Sequence, residues 1–142
     1  MQIFGVDDGM AGKKKQLQQI ADAAAQKNDD IYSILAIHVP NGVESYLHYG
    51  FDLMLSGHTH GGQIRIPVML NGLYAPGQGV FPKYGGGRYD FGNQTMISRG
   101  LSQKPLWLPR LGNPPELTFV ISSPNNQRHK TNSAPEGALL LF

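Results

Sequence analysis

Two histidines separated by one residue lie in a glycine-rich stretch, and they are the side chains best suited to chemistry. The stretch runs from Gly57 to Gln63, and the pair is His58 and His60. In an extended backbone, side chains two positions apart point to opposite sides. Such a pair suits two neighbouring metal ions, which two-metal hydrolases hold about 3.5–4 Å apart. A surface turn with two solvated histidines is the alternative interpretation.

A third histidine, His38, also follows a short apolar run. The runs before His38 and before His58 predict buried strands, and the helical segment between them predicts that the strands are parallel. Because parallel strands deliver their carboxyl ends to one edge of a sheet, we expect the three imidazoles to converge there. The sequence therefore predicts a transition-metal site made by His38, His58 and His60. For His38 alone, a core histidine is the alternative.

Two carboxylates follow the first predicted strand, which begins at Gln2. These are Asp7 and Asp8, and either could add the oxygen ligand that the histidine group lacks. A strand-to-loop turn closed by aspartate is the interpretation that we favour. The sequence leaves open whether Asp7 or Asp8 joins the site.

Further elements must position these residues. Apolar residues recur at helical spacing over residues 13–27, which predicts an amphipathic helix packed on the sheet. Residues 71–90 are rich in glycine, proline and aromatic side chains, which predicts a long ordered loop beside the histidines. Thr95–Ser98 and Leu117–Ile121 predict two strands paired antiparallel at a sheet edge.

Two features could contact an anionic group. The run Gly85-Gly86-Gly87-Arg88 could hold a phosphate, and Arg99 could face an anionic substrate. A simple turn and a surface position are the interpretations that we favour, so the substrate-binding residues stay unknown.

Composition indicates one globular domain. The chain has 142 residues with 40% hydrophobic and 15% charged residues, so one core of ordinary size is expected. A net charge of +2 is too small to indicate a nucleic acid as partner. No apolar run reaches the length of a membrane span, no signal peptide is evident, and the absence of cysteine excludes thiolate ligands. The compartment stays undetermined, and a bacterial parent protein in the cytoplasm or at the membrane periphery is compatible with the sequence.

The histidine pattern resembles that of the calcineurin-like metallophosphoesterases. The resemblance rests on His38-Val39-Pro40 and on Gly57-His58-Thr59-His60-Gly61-Gly62-Gln63, which is similar to the bacterial branch of the family. Supporting stretches are Gly5–Asp8, Ser98–Leu101 and Arg110–Glu116.

The resemblance implies an α/β fold, the carboxyl-terminal half of a four-layer αββα sandwich. It also implies a site in which His38 and His58 ligate one ion and His60 ligates another. The complete family site holds two divalent transition-metal ions (manganese, iron or zinc), which activate a phosphate ester for hydrolysis.

Three motifs of the family do not occur in this sequence: Asp-x-His, Gly-Asp-x-x-Asp and Gly-Asn-His followed by Asp or Glu. They would supply the bridging carboxylate, an amide ligand and the histidine that protonates the leaving group. We therefore expect a truncated enzyme, with residues 1–122 as a partial metallophosphoesterase domain and residues 123–142 as a polar, flexible tail. One ion or none is expected in this chain, and no catalytic residue is assigned.

Three functions fit these observations. The first is a truncated dinuclear phosphoesterase, whose parent enzyme hydrolyses phosphomonoesters or phosphodiesters and which alone has negligible activity. The alternative is a non-catalytic fragment or interaction module that retains at most a partial metal site, and a weaker option is a site for a single ion. Sheet edges left open by a missing half predict self-association or pairing with that half.

Overall fold

A five-stranded, largely parallel sheet positions the histidines. The computed structural model describes residues 1–7, 12–66, 68–92, 94–102, 107–122 and 138–141. In chain order its elements are β1 (Gln2–Val6), α1 (Lys13–Gln26), β2 (Ser33–Ile37), a 3-10 helix (Val43–Tyr49), β3 (Leu53–Ser56), a 3-10 turn (His60–Gly62), β4 (Tyr74–Ala75), β5 (Gly79–Val80), β6 (Gly87–Asp90), β7 (Gln94–Ile97), β8 (Phe119–Ser122) and β9 (Ala138–Leu141).

The strand order in the sheet is β1-β2-β3-β7-β6. The first three neighbouring pairs are parallel, and only the β6–β7 pair is antiparallel. The α/β fold expected from the sequence is confirmed, and so is the parallel arrangement of the strands that precede His38 and His58. That arrangement brings the carboxyl ends of β1, β2, β3 and β7 to one edge.

Helix α1 covers one face of the sheet, as its apolar spacing predicts. Ile20 is fully buried and belongs to one cluster with Leu35, Met54 and Ile97, which lie on three adjacent strands. Burial of such side chains contributes about 1.5–3 kcal/mol each. Among the described residues, no helix combines the length and apolarity that a bilayer span requires.

The opposite face of the sheet carries a second, smaller cluster. Ile34, Leu53 and Leu55 are buried there together with Tyr32. Toward the β1 edge this face becomes open, since Ile3 is 54% exposed. The sheet therefore has one face covered by α1 and a second face whose apolar side chains contact solvent at the β1 edge.

The predicted pairing of the late strands is wrong. Strand β7 lies between β3 and β6, so neither of its sides is open to the segment that contains β8. Strand β8 instead pairs antiparallel with β9. The predicted loop over residues 71–90 also contains the β4–β5 hairpin and strand β6.

The predicted tail falls partly outside the described residues. Residues 123–137 and 142 are not described, whereas residues 138–141 form β9. The division into a domain over residues 1–122 and a flexible tail over residues 123–142 stays a prediction.

We predict that the chain self-associates through the β1 edge and the open apolar face beside it, because unpaired edges and apolar patches favour pairing with another chain. Light-scattering mass measured over a range of concentrations should rise above the monomer mass. Ile3→Lys should lower it, since a lysine there places charge on the edge. Val80→Lys, at a 65% exposed position outside the sheet, is the matched control. A monodisperse monomer with a cooperative melt would contradict this prediction.

Candidate functional site

The carboxyl ends of β2 and β3 place the histidines beside each other. Strand β2 ends at Ile37, and strand β3 ends at Ser56. The Gly57 N–H donates to the His38 carbonyl at 3.1 Å, which carries the pairing of the two strands past their ends. His38 and the turn after Gly57 therefore leave the sheet at the same point.

His38 and His58 are in direct contact. His58 Nδ1 lies 3.1 Å from His38 Nε2, and the two rings meet edge to face with centroids 4.9 Å apart. Which nitrogen carries a proton depends on the tautomer. The structure thus brings together the two imidazoles for which the resemblance implies one shared ion.

His60 lines the same cavity as this pair. The cavity has a volume of about 540 Å³ and is walled by the ends of β1, β2 and β3 and by residues 98–102. His60 Nδ1 lies 3.5 Å from Gln63 Nε2. Within the described ranges, no three His, Asp or Glu side chains are placed to share one metal ion. All three predicted histidines therefore face one cavity, but they do not form a single cluster.

The turn that carries His58 and His60 has an unusual backbone. Both histidines have positive φ angles, 69° and 51°, and Gln63 has a φ of 58°. Residues with a side chain rarely adopt this left-handed region. Each such residue costs about 1–3 kcal/mol of folding free energy, which contacts with its surroundings must offset. The turn must therefore be held by contacts from other parts of the chain.

Two buried side chains hold the turn. The Thr59 hydroxyl donates to the Gly85 carbonyl at 2.8 Å, and Thr59 is fully buried. The Asn113 amide donates to the carbonyls of His60 and Gln63 at 2.7 and 3.0 Å. These bonds join the turn to two segments that are distant in sequence.

Space around the turn is also limited. A Cβ at Gly61 would overlap the Asn113 amide, so glycine is required there by its neighbours as well as by its φ of 67°. Sequence reasoning assigned no role to Thr59 or Asn113. The signal for both was that each lies in a stretch on which the family resemblance rests.

Asp7 does not face the histidines. Its carboxylate accepts from Gln19 at 2.9 Å and lies 3.5 Å from Lys15 Nζ, so it is directed to helix α1. The Gln19 hydrogen bond first, and then Lys15, lower the pKa of Asp7. Asp7 therefore bonds to helix α1, and Asp8 lies outside the described residues.

Curated proteins similar to this chain are metallophosphoesterases. YkuE of Bacillus subtilis strain 168, named an uncharacterized metallophosphoesterase, is 32% identical over 130 residues, which cover 88% of this chain and 42% of YkuE. The phosphodiesterase YaeI of Escherichia coli K12 is 34% identical over 120 residues, covering 84% of this chain and 40% of YaeI. No family model and no solved structure matches.

These similarities show that the chain belongs to the metallophosphoesterases, as the histidine pattern predicts. The chain spans about two fifths of the length of these relatives.

We predict that Asn113→Asp lowers the free energy of unfolding by about 2–3 kcal/mol, because the turn loses two buried hydrogen-bond donors. Urea unfolding is the measurement. Asn28→Asp is the matched control, since Asn28 is exposed and uses its side-chain oxygen as an acceptor for Asp30. Equal stability of the two variants would remove Asn113 as an anchor of the turn.

Proposed function

We propose that this chain supplies the histidine side of a dinuclear, metal-dependent phosphoesterase centre. His38 and His58 would hold one divalent ion, and His60 would hold the second. The observation that carries this proposal is the 3.1 Å distance between His58 Nδ1 and His38 Nε2.

The spacing of these nitrogens fits two ligands of one ion. At a metal–nitrogen distance of about 2.1 Å, two ligands lie about 3.0 Å apart at a right angle and about 3.4 Å apart at the tetrahedral angle. The observed separation of 3.1 Å lies between these limits. Neutral imidazole nitrogens are also the donor type that manganese, iron and zinc accept.

The position of His60 supports its assignment to a second ion. It lines the cavity together with His38 and His58 but is not in the ring contact that those two residues make. Thr59, between the two motif histidines, is anchored at Gly85 and separates them. His58 and His60 would therefore each ligate a different ion.

A phosphate ester is the substrate class that this centre suits. Bound divalent ions would polarise the phosphoryl group and lower the pKa of water, which is the chemistry that such metals supply. The residues of this chain would orient those ions and wall the cavity. The name of the relative YaeI, a phosphodiesterase, supports a phosphodiester rather than a monoester as the substrate.

The described lining of the cavity contains imidazoles, serines and an arginine but no carboxylate. A bridging carboxylate is the usual means of holding two ions at a fixed separation. This observation favours the alternative function for the isolated chain: a non-catalytic module that retains a partial metal site.

We predict weak zinc or manganese binding that depends on the contacting pair. His38→Ala and His58→Ala should each lower zinc affinity roughly tenfold or more, measured by isothermal titration calorimetry. His48→Ala is the control, because His48 is an exposed histidine on the 3-10 helix and does not line the cavity. Equal metal content in the wild type, His58→Ala and His60→Ala would exclude the motif from metal binding.

We further predict negligible hydrolysis of an aryl phosphodiester by the isolated chain with manganese present, since no carboxylate among the described residues lines the cavity to bridge two ions. A complete metallophosphoesterase assayed in parallel controls for the substrate and the metal. Robust turnover that Asp7→Ala or Asp8→Ala abolishes would show that this chain completes the centre by itself.

A further inference from the structure

Three arginines lie near one glutamate, and one of them, Arg99, lines the histidine cavity. Arg99 donates from Nε to the Glu116 carboxylate at 2.8 Å and forms an ion pair with it. Arg110 donates to the carbonyls of Arg99 and Ser102 at 2.5 and 2.8 Å. Arg65 donates to Asn71 Oδ1 at 2.6 Å. We call Arg65, Arg99 and Arg110 the arginine cluster.

The three guanidinium groups are close enough to affect one another. Burial lowers the pKa of Arg65 and of Arg110, and in each case the positive charge of Arg99 lowers it further. Glu116 acts in the opposite direction on both. The Glu116 hydrogen bond raises the pKa of Arg99, while Arg99 lowers the pKa of Glu116.

Positive charge is in excess here. Among the described residues, Glu116 is the carboxylate whose negative charge acts on all three guanidinium groups. Bringing like charges together in a partly buried place is unfavourable unless an opposite charge compensates them. In the same described part, the buried Nη1 of Arg110 has no hydrogen-bond partner. The arginine cluster thus has positive charge left for an anion.

One member of the arginine cluster, Arg99, connects it to the histidine cavity. Arg99 lines that cavity together with His38, His58 and His60, and its side chain is 28% exposed. Gly86 gives it room, since a Cβ at Gly86 would lie 2.6 Å from Arg99 Cγ and 3.6 Å from Arg65 Nη1.

The segment that makes this room also holds the histidine turn, because Gly85 accepts the hydrogen bond of Thr59. The backbone at Gly85 and Gly86 therefore contacts both the histidine turn and the arginine cluster.

We propose that the arginine cluster is an oxyanion subsite that binds a phosphate group of the substrate beside the histidines. Guanidinium groups form charge-assisted, often paired hydrogen bonds with phosphate oxygens, which suits this role. The proposal deepens the proposed phosphoesterase function and rests on it, because it names residues that would hold the ester in the same cavity. The competing role is purely structural, with the arginines joining the loops around residues 65, 99 and 110.

The test is binding of inorganic phosphate to the intact chain, measured by isothermal titration calorimetry in the presence of a metal chelator. We expect saturable binding that weakens with salt. Arg65→Gln should weaken it roughly tenfold, as expected for loss of a charged hydrogen bond. Lys14→Gln, at an exposed lysine on helix α1 that does not line the cavity, removes the same charge and should leave binding within about twofold.

A second variant separates a loss of phosphate binding from a loss of folding. The double change Arg99→Gln with Glu116→Gln removes the ion pair without leaving an unpaired carboxylate, and it should also weaken phosphate binding while retaining a cooperative melt. Absence of phosphate binding by the wild type would overturn the proposal, as would unchanged binding in folded Arg65→Gln and double variants. Since the chelator removes metal, either result is independent of the zinc titrations that test the histidines.

Discussion

The strained turn between Gly57 and Gln63 is the constraint on which the site depends. Its two histidines reach the cavity with backbone angles that the chain would not adopt by itself, so other segments must hold them. Asn113 does this by bonding two carbonyls of the turn, and Thr59 does it by bonding Gly85. Each anchor is buried, where an amide or hydroxyl left unpaired would be costly. The position of the histidines is therefore a tertiary property, although the histidine motif itself is local in sequence.

The same anchoring segments connect the metal-ligand candidates to the arginine cluster. Gly85 accepts from Thr59, and the next residue, Gly86, packs against Arg99. On the other side, Asn113 lies three residues from Glu116, which pairs with Arg99. A change at either segment would disturb both the histidine turn and the arginine side of the cavity. The histidine turn and the arginine cluster are thus connected through the backbone of these two segments.

The sequence predicts interactions between residues that are close in the chain better than interactions between residues that are far apart in it. The sequence predicted strands β2 and β3, because each is a short apolar run. It also predicted that His38 and His58 lie together, because parallel strands end at the same edge of a sheet. The position of β7 between β3 and β6 could not be predicted, since the residue pattern of a strand does not identify the strands with which it pairs. The role of Asn113 was hidden for a similar reason. An asparagine followed by two prolines is typical of a turn, and its bonds reach across 53 and 50 residues.

Charge explains why the proposed metal centre needs groups from outside this cavity. Its described lining offers imidazoles and a cationic arginine, without a carboxylate. Two divalent cations added to such a wall would repel one another and the arginine cluster, so anionic ligands are needed to hold them. Asp7 cannot relieve this repulsion while its carboxylate is bonded to Gln19 and Lys15. The phosphate ester and carboxylates from outside the described cavity are the groups that would balance the charge. Ligand binding and completion of the metal centre are therefore coupled by electrostatics.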